Sequence, residues 1–276
     1  VGSDMKFGQA AKAAKQNRFV IWLGIWFVIA GELMGGTAVA GIVLENARTR
    51  LVFDETNGCL TELATPERGS AYLSPGVQVP LLEMQLWDRD KGAVVPLPGA
   101  PPAFHGRTKS RQGIRQTLRL AYTLAEGRIA AECEVSLERD GSSRWQVRVR
   151  NDSAFSIVAV TFPNIPAQMG SDSADDVLIF PLVYGERQVN PLRLGGARRA
   201  YPGPASMPWM DLYDANGGLY LASYDRTCQS TDVSAVPFPL SEPRALLMSF
   251  TKFGLIAPGQ TWKSTDFIVA PHAGDW

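Results

Sequence analysis

The sequence predicts an all-β fold, a large antiparallel β-sandwich that follows an N-terminal signal helix. Three observations support this prediction. Apolar and polar residues alternate along many short segments, clusters of glycine, proline and asparagine separate these segments, and residues 41–276 show no amphipathic helix pattern of three turns. Alternation with a period of two places one face of a strand on a core and the other in water. Many short strands with glycine- and proline-rich turns are typical of sandwiches and barrels.

Residues 1–40 have the features of a secretion signal. Four basic residues precede an uncharged apolar run over residues 19–31, and Ala38-Val39-Ala40 supplies the small residues that signal peptidase requires. A membrane-spanning helix needs about 20 apolar residues, so this run is too short. We therefore expect cleavage after Ala40, only transient membrane contact, and a secreted, periplasmic or cell-envelope location. An uncleaved signal anchor is the alternative. Val1–Asp4, ahead of Met5, are interpreted as an expression remnant.

Residues 41–276 are numerous enough for one large core and are predicted to form a single sandwich domain. The whole chain has 27 Lys and Arg residues against 27 Asp and Glu residues, with no basic stripe, which argues against a nucleic-acid partner. Cys59, Cys133 and Cys228 fit neither a zinc site nor a dense disulfide framework. They form either one disulfide with a leftover thiol or three buried apolar side chains.

Strand patterns begin directly after the predicted cleavage point. Asn57-Gly58 predicts a hairpin turn, because both residues tolerate the positive φ angles of tight turns. The proline-rich segment 96–102 is interpreted as a surface excursion between sheets. The strands predicted in this part of the chain are residues 42–44, 51–53, 59–63 and 79–87.

The clearest alternation lies between residues 113 and 151. Trp145, Val147 and Val149 point one way, whereas the polar residues between them point the other. Residues 114–122 show the same pattern, with Gln116 as the one interruption of the apolar face. These segments, together with residues 129–138, are therefore predicted to lie side by side with one face on the core.

The second half of the chain repeats this theme. Residues 214–218 and 257–260 carry the glycine, proline and asparagine that tight turns favour. The predicted strands are residues 157–162, 177–184, 207–213, 219–224, 245–250 and 261–270.

Two blocks of sequence resemble known domains. Residues 42–73, IVLENARTRLVFDETNGCLTELATPERGSAYL, resemble the opening of galactose-mutarotase-like supersandwich domains. There a Glu-Asn pair, a Leu-Val-Phe-Asp run and a Gly-x-Leu step follow one another, as Glu45-Asn46, Leu51–Asp54 and Gly58-x-Leu60 do here. Residues 198–225, RRAYPGPASMPWMDLYDANGGLYLASYD, resemble a block found in uncharacterised glycoside-hydrolase-like proteins.

The end of the chain extends the resemblance. Residues 257–276, APGQTWKSTDFIVAPHAGDW, are similar to the final strand and Gly-Asp-Trp step that lead into a (β/α)₈ barrel in such proteins. The resemblance implies a supersandwich that precedes the catalytic barrel of a glycoside hydrolase. It also implies that the barrel, a partner of this domain, is missing from the chain, so we expect no independent catalysis.

No catalytic residue is predicted within the chain. In the mutarotase family that the chain resembles, a histidine and a glutamate act as acid and base across the sugar ring. Here His105 lies beside the proline-rich segment and His272 lies four residues from the end, so both are interpreted as surface or loop histidines. The chain shows no Ser-His-Asp signature, Walker loop, dinucleotide fingerprint or HExxH motif, so we predict neither a cofactor nor a metal.

Glycoside hydrolysis would need two carboxylates about 5–9.5 Å apart, flanking the scissile bond. Asp214 is better explained by its turn, where an aspartate hydrogen-bonds the backbone. Asp211 lies between two apolar residues and is expected to face solvent or a groove. The carboxylates that could form such a pair are Glu186, Asp211, Asp214 and Asp225.

Carbohydrate binding is the preferred hypothesis, because sugars bind to flat aromatic faces flanked by hydrogen-bonding side chains. Tyr201 and Trp209 flank a Pro-Gly-Pro loop from which side chains can project into a groove. The alternative is that the aromatic residues of this region belong to the core. Glu186 and Arg187 are assigned to a separate loop. The candidate carbohydrate-binding residues are Tyr201, Trp209, Asp211, Tyr224, Asp225, Glu186 and Arg187.

Three functions are compatible with these patterns. The chain is an accessory domain of an exported glycoside hydrolase, a free-standing carbohydrate-binding or mutarotase-like protein of the envelope, or a sandwich that mediates protein contacts. The first predicts an exposed apolar patch near the C-terminus, where a catalytic barrel would dock. The second predicts a concave face with convergent aromatic side chains.

Overall fold

The structure is a computed structural model that describes residues 41–88, 91–97, 101–170, 172–239 and 244–274. These residues form 20 β-strands, which confirms the predicted all-β class. The first ten are β1 (Gly41–Glu45), β2 (Arg50–Asp54), β3 (Leu60–Thr65), β4 (Ser70–Ala71), β5 (Glu83–Asp88), β6 (Ala93–Pro96), β7 (Ala103–Gln112), β8 (Arg115–Leu124), β9 (Ile129–Leu137) and β10 (Ser143–Asn151). The others are β11 (Ser156–Ala167), β12 (Val177–Phe180), β13 (Glu186–Val189), β14 (Ala197–Tyr201), β15 (Trp209–Asp214), β16 (Gly217–Tyr224), β17 (Thr231–Phe238), β18 (Ala245–Ile256), β19 (Thr261–Lys263) and β20 (Asp266–His272).

The strands form three antiparallel sheets. The four-stranded sheet has the order β1-β2-β3-β4, and the six-stranded sheet has the order β14-β17-β18-β11-β5-β6. The ten-stranded sheet has the order β13-β12-β15-β16-β20-β10-β9-β8-β7, with β19 also paired to β10. The chain crosses repeatedly between the two large sheets, so the strands of one functional region come from distant parts of the sequence.

Aromatic side chains join the three sheets in the core. Trp145 of the ten-stranded sheet is fully buried, and its ring lies 5.7 Å from Phe53 of the four-stranded sheet and 6.2 Å from Phe162 of the six-stranded sheet. Phe162 in turn lies 5.7 Å from Phe267. Rings at such separations gain energy beyond their buried area. The indole Nε1 of Trp145 donates to Ser143 Oγ at 2.8 Å, so its polar group is satisfied.

The β1 edge of the small sheet is covered by side chains of the large one. Lys109 Nζ donates to the carbonyl oxygen of Val43, and Gln116 Nε2 donates to that of Glu45. Edge strands offer unpaired backbone groups to other chains, and this contact blocks two of them. Gln116, which interrupts the apolar face in the sequence, therefore has a structural role.

Most strand predictions are confirmed in place and differ in length. The turn after Asp54 forms as predicted, with Asp54 Oδ1 accepting from the Thr56 amide at 2.6 Å and Gly58 at a φ of 69°. The strand predicted at 79–87 begins only at Glu83, and Leu81 and Leu82 before it are both buried. The strand predicted at 261–270 is split, and Ser264 Oγ between its halves accepts from the Val147 amide at 2.9 Å.

The described residues contain two short helices, a 3₁₀ turn at Pro66–Arg68 and α1 at Pro191–Leu194. None of their helices is long and apolar enough to cross a membrane. The predicted signal segment, residues 1–40, lies outside the described residues, as do Asp275 and Trp276 of the Gly-Asp-Trp step. The domain boundary at residue 41 therefore stays a prediction.

Neither prediction for the cysteines was right. All three thiols are free, Cys59 and Cys133 are buried, and Cys228 is exposed. Cys133 lies on the apolar face of β9, whereas Cys228 lies in the connection between β16 and β17 at a φ of 53°. The exposure of Cys228 follows from this loop position, which its wide sequence spacing did not reveal.

Candidate functional site

The hairpin formed by β15 and β16 lies in the middle of the ten-stranded sheet and carries the candidate site. Its turn is held by Asp214, whose Oδ1 accepts from the amides of Asn216 at 2.6 Å and Gly217 at 3.1 Å. This confirms the structural role predicted for Asp214. The inward side chains of the hairpin are fully buried in the main core; they are Met210, Leu212, Leu219 and Leu221.

The alternate side chains of the hairpin lie on the opposite surface of the sheet, which we call the outer face. It comprises Trp209, Asp211 and Tyr213 of β15, Tyr220 and Tyr224 of β16, and His272 of β20. The outer face of an antiparallel sheet is ordinarily polar. Here it holds a second hydrophobic cluster, separate from the main core, formed by Val177, Ile179 and Tyr213 with Trp209 packed against them.

A histidine–aspartate pair lies at the centre of the outer face. His272 Nε2 lies 3.0 Å from Asp211 Oδ1, and the exposed fractions of the two side chains are 26% and 2%. The hydrogen bond to Asp211 is the main cause that raises the pKa of His272, and burial opposes it. The pair therefore presents a partly accessible imidazole whose orientation is set by a buried carboxylate.

Gly218 makes room for this pair. It lies opposite His272 in the β16–β20 register, and a Cβ atom at this position would be 2.2 Å from His272 Nε2. The same atom would lie 2.7 Å from the Cβ atom of Tyr213. Any larger residue would thus displace the imidazole from Asp211.

Aromatic rings border the pair. Trp209 and Tyr220 lie with their ring centroids 5.8 Å apart at an interplanar angle of 37°. Burial, followed by the neighbouring Tyr224 and Asp211, raises the pKa of Tyr220 to about 12, so its hydroxyl keeps its proton at neutral pH. Tyr224 is 58% exposed and continues the aromatic surface along β16.

A polar cleft of about 490 Å³ lies at the Tyr224 end of β16. Asp266 accepts hydrogen bonds from Arg144 and Gln146 at this position. Asp225 is engaged beneath it: its Oδ2 accepts from Lys252 Nζ at 2.7 Å, and both side chains are almost fully buried. The cleft is lined by Arg144, Ser223, Tyr224, Asp225, Arg226 and Asp266.

The structure brings only some of the predicted carbohydrate-binding residues together. Trp209, Asp211 and Tyr224 share the outer face, and Arg187 lies on it too, opposite Ile179 in the β12–β13 register. The prediction that Asp211 faces solvent or a groove was wrong: it is 1% exposed, because His272 and the aromatic rings cover it. Tyr224 meets the expectation of an accessible aromatic side chain.

The remaining predicted residues have structural partners elsewhere. Glu186 opens β13 instead of lying in a loop, and it bridges two sheets by accepting from Arg199 Nε at 2.7 Å. Tyr201 lies on β14, where its hydroxyl donates to Cys228 Sγ at 3.5 Å. The Asp225 carboxylate is held by Lys252 and Thr227. These three side chains are not part of the outer-face site.

Sequence reasoning missed His272. The prediction that it is a surface or loop histidine was wrong about the loop, because it is the last residue of β20 and faces the same way as Ile268 and Ala270, although its side chain is 26% exposed at the sheet surface. The signal was available: with Phe267 and Val269 assigned to the core, period-two alternation puts His272 on the other face. The cleft residues Arg144, Ser223, Arg226 and Asp266 carried no comparable signal.

A larger cavity of about 910 Å³ lies beside the hairpin turn. Its lining includes Gly69, Gly170 and Gly217, and the Asp214 carboxylate is already engaged in the turn. Among the described residues, no group of three or more His, Cys, Asp and Glu side chains is arranged to hold a metal ion.

Comparison with known proteins addresses the fold. No protein-family model matches the sequence, and no curated protein sequence is significantly similar to it. Solved structures do match. The α-galactosidase of Lactobacillus brevis has a TM-score of 0.57 at 12% identity, over 88% of this chain and 41% of that one. A GH36 α-galactosidase of Geobacillus stearothermophilus in complex with stachyose has a TM-score of 0.57 at 10% identity, over 85% of this chain and 41% of that one.

A galactose mutarotase-related enzyme of Lactobacillus acidophilus is matched almost in full. Its TM-score is 0.52 at 12% identity, over 85% of this chain and 98% of that one. The fold is therefore a β-sandwich of the galactose-mutarotase-like kind, as the sequence resemblance implied. The chain spans about two fifths of the length of the α-galactosidases that it matches.

Proposed function

We propose that this chain is the carbohydrate-recognising sandwich domain of a glycoside-hydrolase-like protein, with its sugar bound on the outer face. The observation that carries the proposal is the Asp211–His272 pair placed beside the Trp209–Tyr220 ring pair, on the side of the sheet away from the main core. Sugar sites combine apolar ring surfaces with a small number of fixed polar groups.

Each part of the face has a role in this proposal. The imidazole of His272 is a partly exposed ring of fixed orientation, because Asp211 holds its Nε2 and the backbone of Ala273 and Gly274 also hydrogen-bonds the ring. The protonated Tyr220 hydroxyl serves as donor or acceptor for a sugar hydroxyl. Ring surfaces of Tyr220 and Tyr224 contact the C–H-rich face of a pyranose. A preformed arrangement of this kind loses little entropy on binding.

Galactosides are the first ligands to test. The fold neighbours include α-galactosidase structures in complex with stachyose and with raffinose, and an α-N-acetylgalactosaminidase of Bifidobacterium bifidum in complex with GalNAc. These ligands are bound by those proteins, and they support galactose-containing sugars as the ligand class proposed here. Bond cleavage is assigned to a barrel domain of a longer parent protein, in keeping with the two-fifths coverage of the α-galactosidases.

Binding is tested by calorimetric titration of the chain with raffinose, stachyose and galactose. We expect measurable heat at millimolar concentration, and at least about tenfold weaker binding in Tyr220→Ala, which corresponds to about 1.4 kcal/mol. Trp87→Ala is the control, because Trp87 is an aromatic residue 40% exposed on β5 of the six-stranded sheet, which does not carry the site. No heat with any of the three sugars, or equal affinity in both variants, would contradict the proposal.

A protein-contact role is a second candidate, favoured by an exposed apolar tip formed by Val183, Tyr184 and Met207. Their exposed fractions are 75%, 98% and 51%. Exposed apolar patches mark interaction surfaces, here for a second copy of the chain. Sedimentation of Val183→Ser/Tyr184→Ser tests this: we expect less self-association than in the unaltered chain at high concentration. An unchanged sedimentation profile would argue against the contact role.

Export is part of the proposed function, supported by the basic and apolar pattern of residues 6–31. Expression of the chain with a fused reporter in a bacterial host tests it. We expect the reporter outside the cytoplasm, and its retention inside when Lys6–Ala40 are deleted. Cytoplasmic reporter in both cases would contradict export.

A further inference from the structure

The polar cleft at the Tyr224 end of β16 has the chemistry of an anion-binding subsite. We propose that it binds the carboxylate of an acidic sugar, a uronate unit, next to the neutral sugar placed on the outer face. The inference rests on the proposed carbohydrate function and specifies the class of saccharide. The cleft volume of about 490 Å³ is sufficient for a pyranose ring.

One buried donor in this cleft has no hydrogen-bond partner. Arg144 Nε makes no hydrogen bond, and Glu138 Oε1 lies 4.0 Å from it. Buried polar groups without partners are rare in native proteins, and a bound ligand is one explanation for them. A guanidinium only donates hydrogen bonds, so it favours an acceptor-rich ligand.

The charge of the cleft also favours an anionic ligand. Its two carboxylates are already neutralised, Asp225 by Lys252 and Asp266 by Arg144. Arg226 is exposed and forms no ion pair with any residue in the described part of the chain. One guanidinium thus remains uncompensated at the cleft. A guanidinium binds a planar carboxylate through two parallel hydrogen bonds, which a neutral hydroxymethyl group cannot accept.

Tyr224 explains why the anion is expected on a sugar ring. Its side chain is 58% exposed, lines the cleft and neighbours Tyr220 of the outer face. A ring stacked on Tyr224 would bring its carboxylate towards Arg226 and Arg144. A bare inorganic anion would gain the charge contact without the stacking.

The experiment compares galacturonate with galactose, which differ by a carboxylate in place of the hydroxymethyl group, in calorimetric titrations at low salt. We expect galacturonate to bind at least tenfold more tightly. Arg226→Gln removes this preference and leaves galactose affinity unchanged. Arg111→Gln is the matched control, because Arg111 is an exposed arginine on the distant edge strand β7. Sodium acetate at the same concentration reports bare anion binding.

Each outcome decides between the two proposals. Equal affinity for galacturonate and galactose, or equal losses in Arg226→Gln and Arg111→Gln, would overturn the uronate subsite and leave the galactoside proposal standing. Acetate binding as tight as galacturonate binding would show an anion site without sugar recognition, which also overturns it. Galacturonate binding that depends on Arg226, with no heat from galactose or raffinose, would support the cleft and contradict the neutral-sugar site.

Discussion

At the scale of single residues, the outer face depends on a glycine. His272 can approach Asp211 only because Gly218 leaves its Cβ position empty. The hydrogen bond between the two side chains then sets the ring orientation and the pKa of the imidazole. Two predictions follow from this arrangement.

Gly218→Ala is expected to displace His272 and weaken sugar binding. The new Cβ atom would lie within 2.2 Å of Nε2, far inside van der Waals contact. Overpacking of this kind costs about 1–3 kcal/mol in unfolding free energy, to be measured by urea denaturation. Gly254→Ala is the control, since its Cβ would meet only the flexible Gln229 side chain at 3.0 Å. Equal stability of the two variants would contradict the steric argument.

Asp211→Asn is expected to lower the pKa of His272. The bond to Asp211 raises this pKa above its ordinary value of 6.5, so the pair stabilises the fold fully below pH 6.5 and progressively less as pH rises through the folded pKa. The stability difference between the unaltered chain and the variant should therefore be larger at pH 5.5 than at pH 8.5. The titration is measured by NMR, where the chain's two histidines give separable signals. An unshifted His272 signal would contradict the proposed pairing.

At the scale of elements, a buried ion pair connects the two large sheets. Lys252 lies on β18 of the six-stranded sheet, and Asp225 directly follows β16 of the ten-stranded one. Burial lowers the pKa of Lys252, although the bond to Asp225 acts in the opposite direction. Burial alone would raise the pKa of Asp225, but the hydrogen bonds from Lys252 and Thr227 outweigh it, and the pKa of Asp225 is lowered. Lys252 also lies 5.9 Å above the Phe267 ring.

Asp225→Asn is expected to destabilise the protein by about 3–5 kcal/mol, because it leaves the Lys252 ammonium buried without a counter-charge. Adding Lys252→Met should restore most of this loss, since the uncharged methionine needs no counter-charge. The two variants are compared by urea denaturation, with the exposed pair variant Asp152→Asn as control. If the double variant is no more stable than Asp225→Asn, the unpaired charge is not the cause.

At the scale of the whole molecule, Trp145 joins the three sheets through Phe53 and Phe162. Trp145→Ala is expected to cost about 3–5 kcal/mol, the ordinary range for removing a buried tryptophan. Trp87→Ala, at a position 40% exposed on β5, should cost much less. Circular dichroism and tryptophan fluorescence during denaturation check whether the sheets unfold together. If Trp145→Ala unfolds at the same denaturant concentration as Trp87→Ala, Trp145 does not have this central role.

The strands that could be predicted are those with one buried face. Residues 143–151 of β10 alternate in the structure as they do in the sequence, with Trp145, Val147 and Val149 fully buried. Strand β7 was missed because eight of its ten residues are exposed, so no apolar period marks it. Strands β13 and β14 are short, half-exposed edge strands and escaped prediction for the same reason.

The sequence by itself determined the all-β class, the hairpin at Asp214–Gly217 and the presence of Trp209, Asp211 and Tyr224 on one of its faces, because these depend on local alternation and turn chemistry. Only the tertiary structure decided what each polar group meets. The order β15-β16-β20-β10 brings His272 to Asp211 and Arg144 to Asp266, although more than 60 residues separate each pair along the chain. Strand order is set by the burial of all three sheets at once, so no local pattern could reveal it.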